Sequence, residues 1–98
     1  MSYRLVLRPA AEIDAQLARD WYENERAGLG PEFQGALIAC LESVLAAPLQ
    51  RRLAYRDIRW WKLERFPYLV FYRVKGDEVC VTAIVHGARH PARWQRRA

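Results

Sequence analysis

Residues 58–94 read IRWWKLERFPYLVFYRVKGDEVCVTAIVHGARHPARW, and they decide the fold. Two runs rich in β-branched and aromatic residues flank Lys75-Gly76-Asp77-Glu78, a tight hairpin signal. A third such run precedes them. The expected strands are about Ile58–Leu63, Tyr68–Val74 and Val79–His86, consecutive and antiparallel. A tail follows in the pattern His86-x-x-Arg89-His90-Pro91-x-x-Trp94. A flat apolar platform beside a basic, aromatic tail suits a surface that grips another macromolecule. It does not suit a pocket for a small metabolite.

Upstream, Tyr3 to Arg8 alternates in β fashion and Pro9 ends the run. A helix is expected from about Ala10 to Arg26, with Ile13, Leu17 and Trp21 recurring at four-residue spacing as its apolar stripe. On that reading Trp21 packs inward and Tyr22 lies beside the stripe, partly open; the alternative is that both contact a partner. Gly28-Leu29-Gly30 breaks the chain, and Pro31 suits the first turn of a second helix. Phe33, Leu37, Cys40, Leu41, Val44 and Leu45 trace its apolar face, and Pro48 stops it. The short link makes the two helices an antiparallel hairpin. Residues 48–57, PLQRRLAYRD, read as a basic loop. The order is β-α-α-β-β-β, an α+β fold. The helix hairpin covers one face of the antiparallel meander, and the N-terminal strand adds to the sheet. Beside the last strand, that first strand would run parallel to it.

The chain's 98 residues make one domain, residues 1–98, with a modest core that a partner would help to stabilise. Its net charge of +5 is unevenly spread. Residues 1–50 carry four Arg against seven acids, giving −3, and residues 51–98 carry twelve Lys or Arg against four acids, giving +8. That asymmetry points the second half at an anionic partner, an acidic protein or a nucleic acid. No apolar run is long enough for a bilayer, and the opening MSYRLVLRPAAEID lacks the apolar core of a signal peptide. A cytoplasmic protein without membrane contact is the expectation. Cys40 and Cys80 sit in apolar stretches and read as buried small hydrophobes rather than a disulfide or zinc site. There is no phosphate-cradling glycine loop, no metal-ligand cluster, and no serine paired with a base; Ser2 and Ser43 are the only serines. No cofactor, metal or small-molecule substrate is expected.

Several residues stand out as candidates. His86, Arg89 and His90 supply an acid, a base and a cation close together, enough in principle to shuttle a proton. The same residues could equally end the last strand and brace it, or touch a target. Arg51, Arg52, Arg56, Arg59, Lys62 and Arg65 make a basic edge that either stays solvated, docks an acidic partner, or contacts nucleic acid. Arg59 and Lys62 face opposite ways on a strand, so the cluster is not one patch. Trp60 and Trp61 also face opposite ways: one joins the core, and the other lies on the far face of the sheet or under the tail near Trp94. A tryptophan between Arg59 and Lys62 has the make-up of a binding anchor. Arg93 to Ala98 read as a mobile basic tail.

Taken together, several features resemble the ParE/RelE superfamily of bacterial toxins, in its ParE-like plasmid-stabilisation branch. They are the Tyr3–Arg8 strand, Trp21-Tyr22, Leu29-Gly30 with Phe33, and Pro48 after the second helix. To these are added Ile58-Arg59, Arg65-Phe66-Pro67-Tyr68, Tyr72 and His86-x-x-Arg89-x-Pro91-x-x-Trp94. The resemblance implies a type II toxin–antitoxin module: a basic toxin neutralised by a cognate antitoxin whose C-terminal segment folds across it. It implies DNA gyrase as the target, inhibited by protein–protein binding, with Arg59, Trp60, Lys62, Arg65, Arg89, Arg93 and Trp94 as target or antitoxin contacts. RelE-like relatives instead cut mRNA in the ribosome, and on that alternative His86, Arg89 and His90 would be the catalytic set. Those nucleases bring an arginine into the middle strand. Here Tyr68 or Leu69 stands at that place, which removes a phosphate clamp. A second alternative is a relic that only binds an antitoxin.

Overall fold

The computed structural model describes residues 2–88 and 91–97, apart from the side chains at 91 and 93. The chain runs through β1 (Arg4–Leu7), α1 (Pro9–Glu25), α2 (Leu29–Ala46), β2 (Leu53–Tyr55), β3 (Ile58–Lys62), β4 (Tyr68–Lys75), β5 (Glu78–His86) and a short α3 (Pro91–Gln95). The strands form one sheet in the order β1-β5-β4-β3-β2. β3, β4 and β5 are the expected antiparallel meander. β1 lies parallel to β5 at the opposite edge from β2.

Two elements differ from the sequence reading. The stretch expected to be only a loop contains β2, which pairs antiparallel with β3 through a two-residue turn. Arg56 in that turn takes φ 52°, a conformation unusual for a side-chain-bearing residue. The tail is also structured over its described part. α3 lays Trp94 flat on Phe71, ring centroids 4.2 Å apart and planes 14° apart, with the edge of Tyr55 nearby. Trp94 thereby covers a small core of Ile58, Phe71, Ala83 and Val85 on the sheet face away from the helices.

The other face carries the main core. Val70, Tyr72, Val79, Val81 and Ile84 pack under Phe33, Leu37, Cys40 and Val44 of α2. Tyr22, Phe33, Phe66 and Tyr68 meet as an aromatic cluster with centroid separations between 4.9 and 6.0 Å. This is the purpose of the Arg65-Phe66-Pro67-Tyr68 loop: Phe66 reaches back between sheet and helices and pins them together. Tyr72 is fully buried and its hydroxyl donates to the Pro48 carbonyl at 2.8 Å. Burial accordingly pushes its phenol pKa up.

The helix hairpin is closed by Glu23. Its carboxylate accepts the backbone N–H groups of Gly28 (3.1 Å) and Gly30 (2.9 Å), satisfying donors at the start of α2. Those bonds hold the Glu23 carboxyl below its ordinary range. Gly28 takes φ 91°, and a Cβ at Gly30 would lie 2.9 Å from Glu23 Oε1 and 3.1 Å from the Arg19 carbonyl. Glycine suits Gly28 through its positive φ, and at Gly30 a side chain would disturb the Glu23 carboxylate.

Candidate partner-docking site

α1 meets β5 through small side chains. Ala11, Asp14 and Ala18 are its buried residues, spaced to lie on one face. Ile13, Leu17 and Trp21, expected to be the inward stripe, are instead 59%, 60% and 56% exposed. The reason is that α1 carries two apolar stripes, and the alanine stripe allows the closer approach to the sheet. The larger stripe is left facing outward at a groove of about 650 Å³ lined by Leu17, Trp21, Tyr22, Tyr68, Ile84 and His86, among others.

One wall of the groove is an incomplete strand edge. β1 pairs with β5 only from Glu78 to Val81, and Arg8 N–H makes the last backbone bond, to the Val81 carbonyl at 3.0 Å. The β4–β5 register then slips: Phe71 pairs with Ala83, but Tyr72 pairs with Val81, leaving Thr82 as a bulge. The bulge flips the alternation of β5, so that Val79, Val81 and Ile84 all join the helix-side core. Side chains serve the edge beyond it. Ile84 N–H donates to Asp14 Oδ2 at 3.0 Å, and Arg97 Nη1 donates to the Thr82 carbonyl at 3.2 Å and to Asp14 Oδ2 at 2.5 Å. Asp14 is only 8% exposed, so its charge requires these partners.

Among the described residues, the candidates from the sequence lie at several separate places. His86 ends β5 in the groove, its ring edge-on to Tyr68 at 5.4 Å, and its Nδ1 accepts the Ala88 N–H at 3.0 Å. Arg89 and His90 lie outside the described residues, as does the side chain of Arg93. Trp60 is on the far sheet face and is 42% exposed, while Trp61 joins the helix-side core and carries the Arg51 guanidinium over its ring at 4.1 Å. Arg59 is half-buried on the helix side, with its Nε shielded from solvent. Lys62 Nζ donates to the Leu63 and Phe66 carbonyls, at 2.9 and 3.3 Å. Arg65 pairs with Glu32 at 2.8 Å, which holds the Glu32 carboxyl below its ordinary range. Trp94 is engaged with Phe71. Sequence reasoning missed the roles of Asp14, Ile84 and Arg97. It also assigned Ile13, Leu17 and Trp21 to the wrong side. The available signal was the second small-residue stripe, Ala11 with Ala18.

Cys40 is buried and its thiol is pushed up to about 11, consistent with a packing role. Among the described residues there is no group of three or more His, Cys, Asp or Glu able to hold a metal, and no helix long and apolar enough to cross a membrane.

A helix hairpin over one face of a mixed sheet, with an apolar groove beside an incomplete strand edge, defines a small α+β binding domain. The sequence over residues 5–91 matches the ParE toxin of type II toxin-antitoxin systems, parDE, and the chain belongs to that family. A solved structure of the chromosomal ParDE TA system from P. aeruginosa has a similar fold, with a TM-score of 0.77 at 20% sequence identity, over 86% of this chain and 95% of that one. No curated protein matches the chain.

Proposed function

We propose that this chain, a type II toxin by family, is neutralised by a cognate antitoxin seated along Ile13, Leu17 and Trp21, and that the free toxin inhibits DNA gyrase by binding it. The observation that carries the docking reading is the outward stripe itself. Three large apolar side chains stand together in solvent on an otherwise well-packed helix, beside a strand edge with no strand partner among the described residues. Exposed apolar patches with a polar rim mark interaction surfaces. An amphipathic antitoxin segment supplies the matching apolar face.

Binding, rather than RNA cleavage, is favoured by how the basic residues are used. Lys62 folds onto backbone carbonyls, Arg65 pairs with Glu32 and Arg51 stacks on Trp61. His86 spends one ring nitrogen on its own turn. A phosphate clamp built from Lys62, Arg65 or Arg51 would need those groups released from these contacts. Trp60 on the far face remains exposed for a protein target.

Expression induced without the antitoxin, scored in parallel for growth, DNA breaks and mRNA cuts, tests the reading. Growth arrest with trapped gyrase–DNA cleavage complexes and intact transcripts is expected. Cut transcripts with intact DNA would replace gyrase with a ribosome-dependent nuclease activity. Normal growth would leave only antitoxin binding.

A further inference from the structure

The bulge at Thr82 places a backbone acceptor and a backbone donor, Thr82 C=O and Ile84 N–H, on the β5 edge just where β1 stops. Such a pair is what an added strand uses. Here both positions are already filled by side chains. Arg97 bonds the carbonyl at 3.2 Å and Asp14 takes the N–H at 3.0 Å, while Arg97 holds Asp14 through both nitrogens, at 2.5 and 3.3 Å. Arg97 comes from the last turn of the chain, and Asp14 from α1 directly beneath the docking stripe.

We propose that Arg97 is a displaceable strap on the β5 edge: it occupies the site that an extended segment of the antitoxin takes, and it must leave for that segment to pair with β5. The proposal rests on the docking surface described above and adds its order of events. An incoming strand supplies a backbone N–H for the Thr82 carbonyl and a backbone carbonyl for Ile84 N–H. Asp14 then loses both its amide partner and its guanidinium unless the incoming segment brings a cation or hydroxyl of its own. The closed strap competes with the partner, so weakening it raises the fraction of toxin ready to bind.

The test uses the full chain and the purified full-length cognate antitoxin, with affinity measured by calorimetry. Arg97→Ala, checked as folded by circular dichroism, is expected to bind about threefold to tenfold more tightly than the wild type. Unchanged or weaker binding by the folded variant overturns the strap. Should Arg97→Ala fail to fold, the wild-type protein answers instead. The NMR signals of the Arg97 Nη–H groups are expected to shift as antitoxin is added, and signals that stay at their Asp14-paired positions overturn the proposal. Leu17→Asp separates the two layers. Loss of binding in Leu17→Asp, together with an Arg97 signal that stays in place when antitoxin saturates the wild-type protein, overturns the strap alone. Full binding by Leu17→Asp overturns the docking surface, and the strap with it.

Discussion

α1 presents two faces about a quarter of a turn apart. One carries Ala11, Asp14 and Ala18 and lies against β5. The other carries Ile13, Leu17 and Trp21 and faces solvent. In isolation the second face has far more area to remove from water. What decides the orientation is distance. Small side chains let the helix axis approach the sheet closely enough for Asp14 to reach Ile84 N–H. Turning the large stripe inward would lift α1 away and strand that buried donor. That apolar area therefore stays in contact with water in the chain by itself.

Substitutions on either face test this contrast. The largest effect is expected on the outward face. The double variant Leu17→Asp with Trp21→Ala should weaken antitoxin binding by roughly 100-fold or more, about 3 kcal/mol. Its urea unfolding free energy should stay within about 0.5 kcal/mol of wild type, as for surface positions generally. Next comes the inward face, where Ala11 is completely buried. Ala11→Leu adds volume there and should cost about 1–3 kcal/mol in urea unfolding, with the folded fraction still binding antitoxin. A neutral Ala11→Leu would break the comparison. Tyr72→Phe, remote from both faces, removes the bond to the Pro48 carbonyl and should cost about 1 kcal/mol by the same assay.

The smallest effect concerns acid. The Glu23 carboxyl is held below its ordinary pKa by Gly28 and Gly30, and that of Glu32 chiefly by Arg65. Each therefore contributes stability that is complete above the unfolded value, 4.5, and is lost as pH falls through the lower folded value. Glu23→Gln should flatten part of the acid limb of a stability–pH profile while leaving binding untouched.

Much of the fold was legible because its elements have strong periods and clear stops. Gly76 marks the β4–β5 hairpin with φ 59°, Pro48 closes α2, and the Tyr3–Leu7 alternation delivers Tyr3, Leu5 and Leu7 to the helix-side core. β2 was hidden because three residues among arginines carry almost no period. The Thr82 bulge was hidden because VCVTAIV is apolar on both sides of the slip, and the single threonine at the slip is as ordinary inside a regular strand as in a bulge. The site was less legible than the fold. Four-residue spacing of Ile13, Leu17 and Trp21 identifies a stripe but not the side it faces. The docking of Trp94 on Phe71 and of Arg97 on Asp14 joins residues far apart in sequence, with no local signature.

On the proposed docking, α1 shows its larger apolar face to a partner. Methyl and amide NMR of the wild-type protein, titrated with the antitoxin, addresses that point without any substitution. The methyl signals of Ile13 and Leu17 and the indole of Trp21 should move together, while the indole of Trp60 on the far face stays in place. Movement at Trp60 with an unperturbed Ile13–Leu17–Trp21 stripe would contradict it.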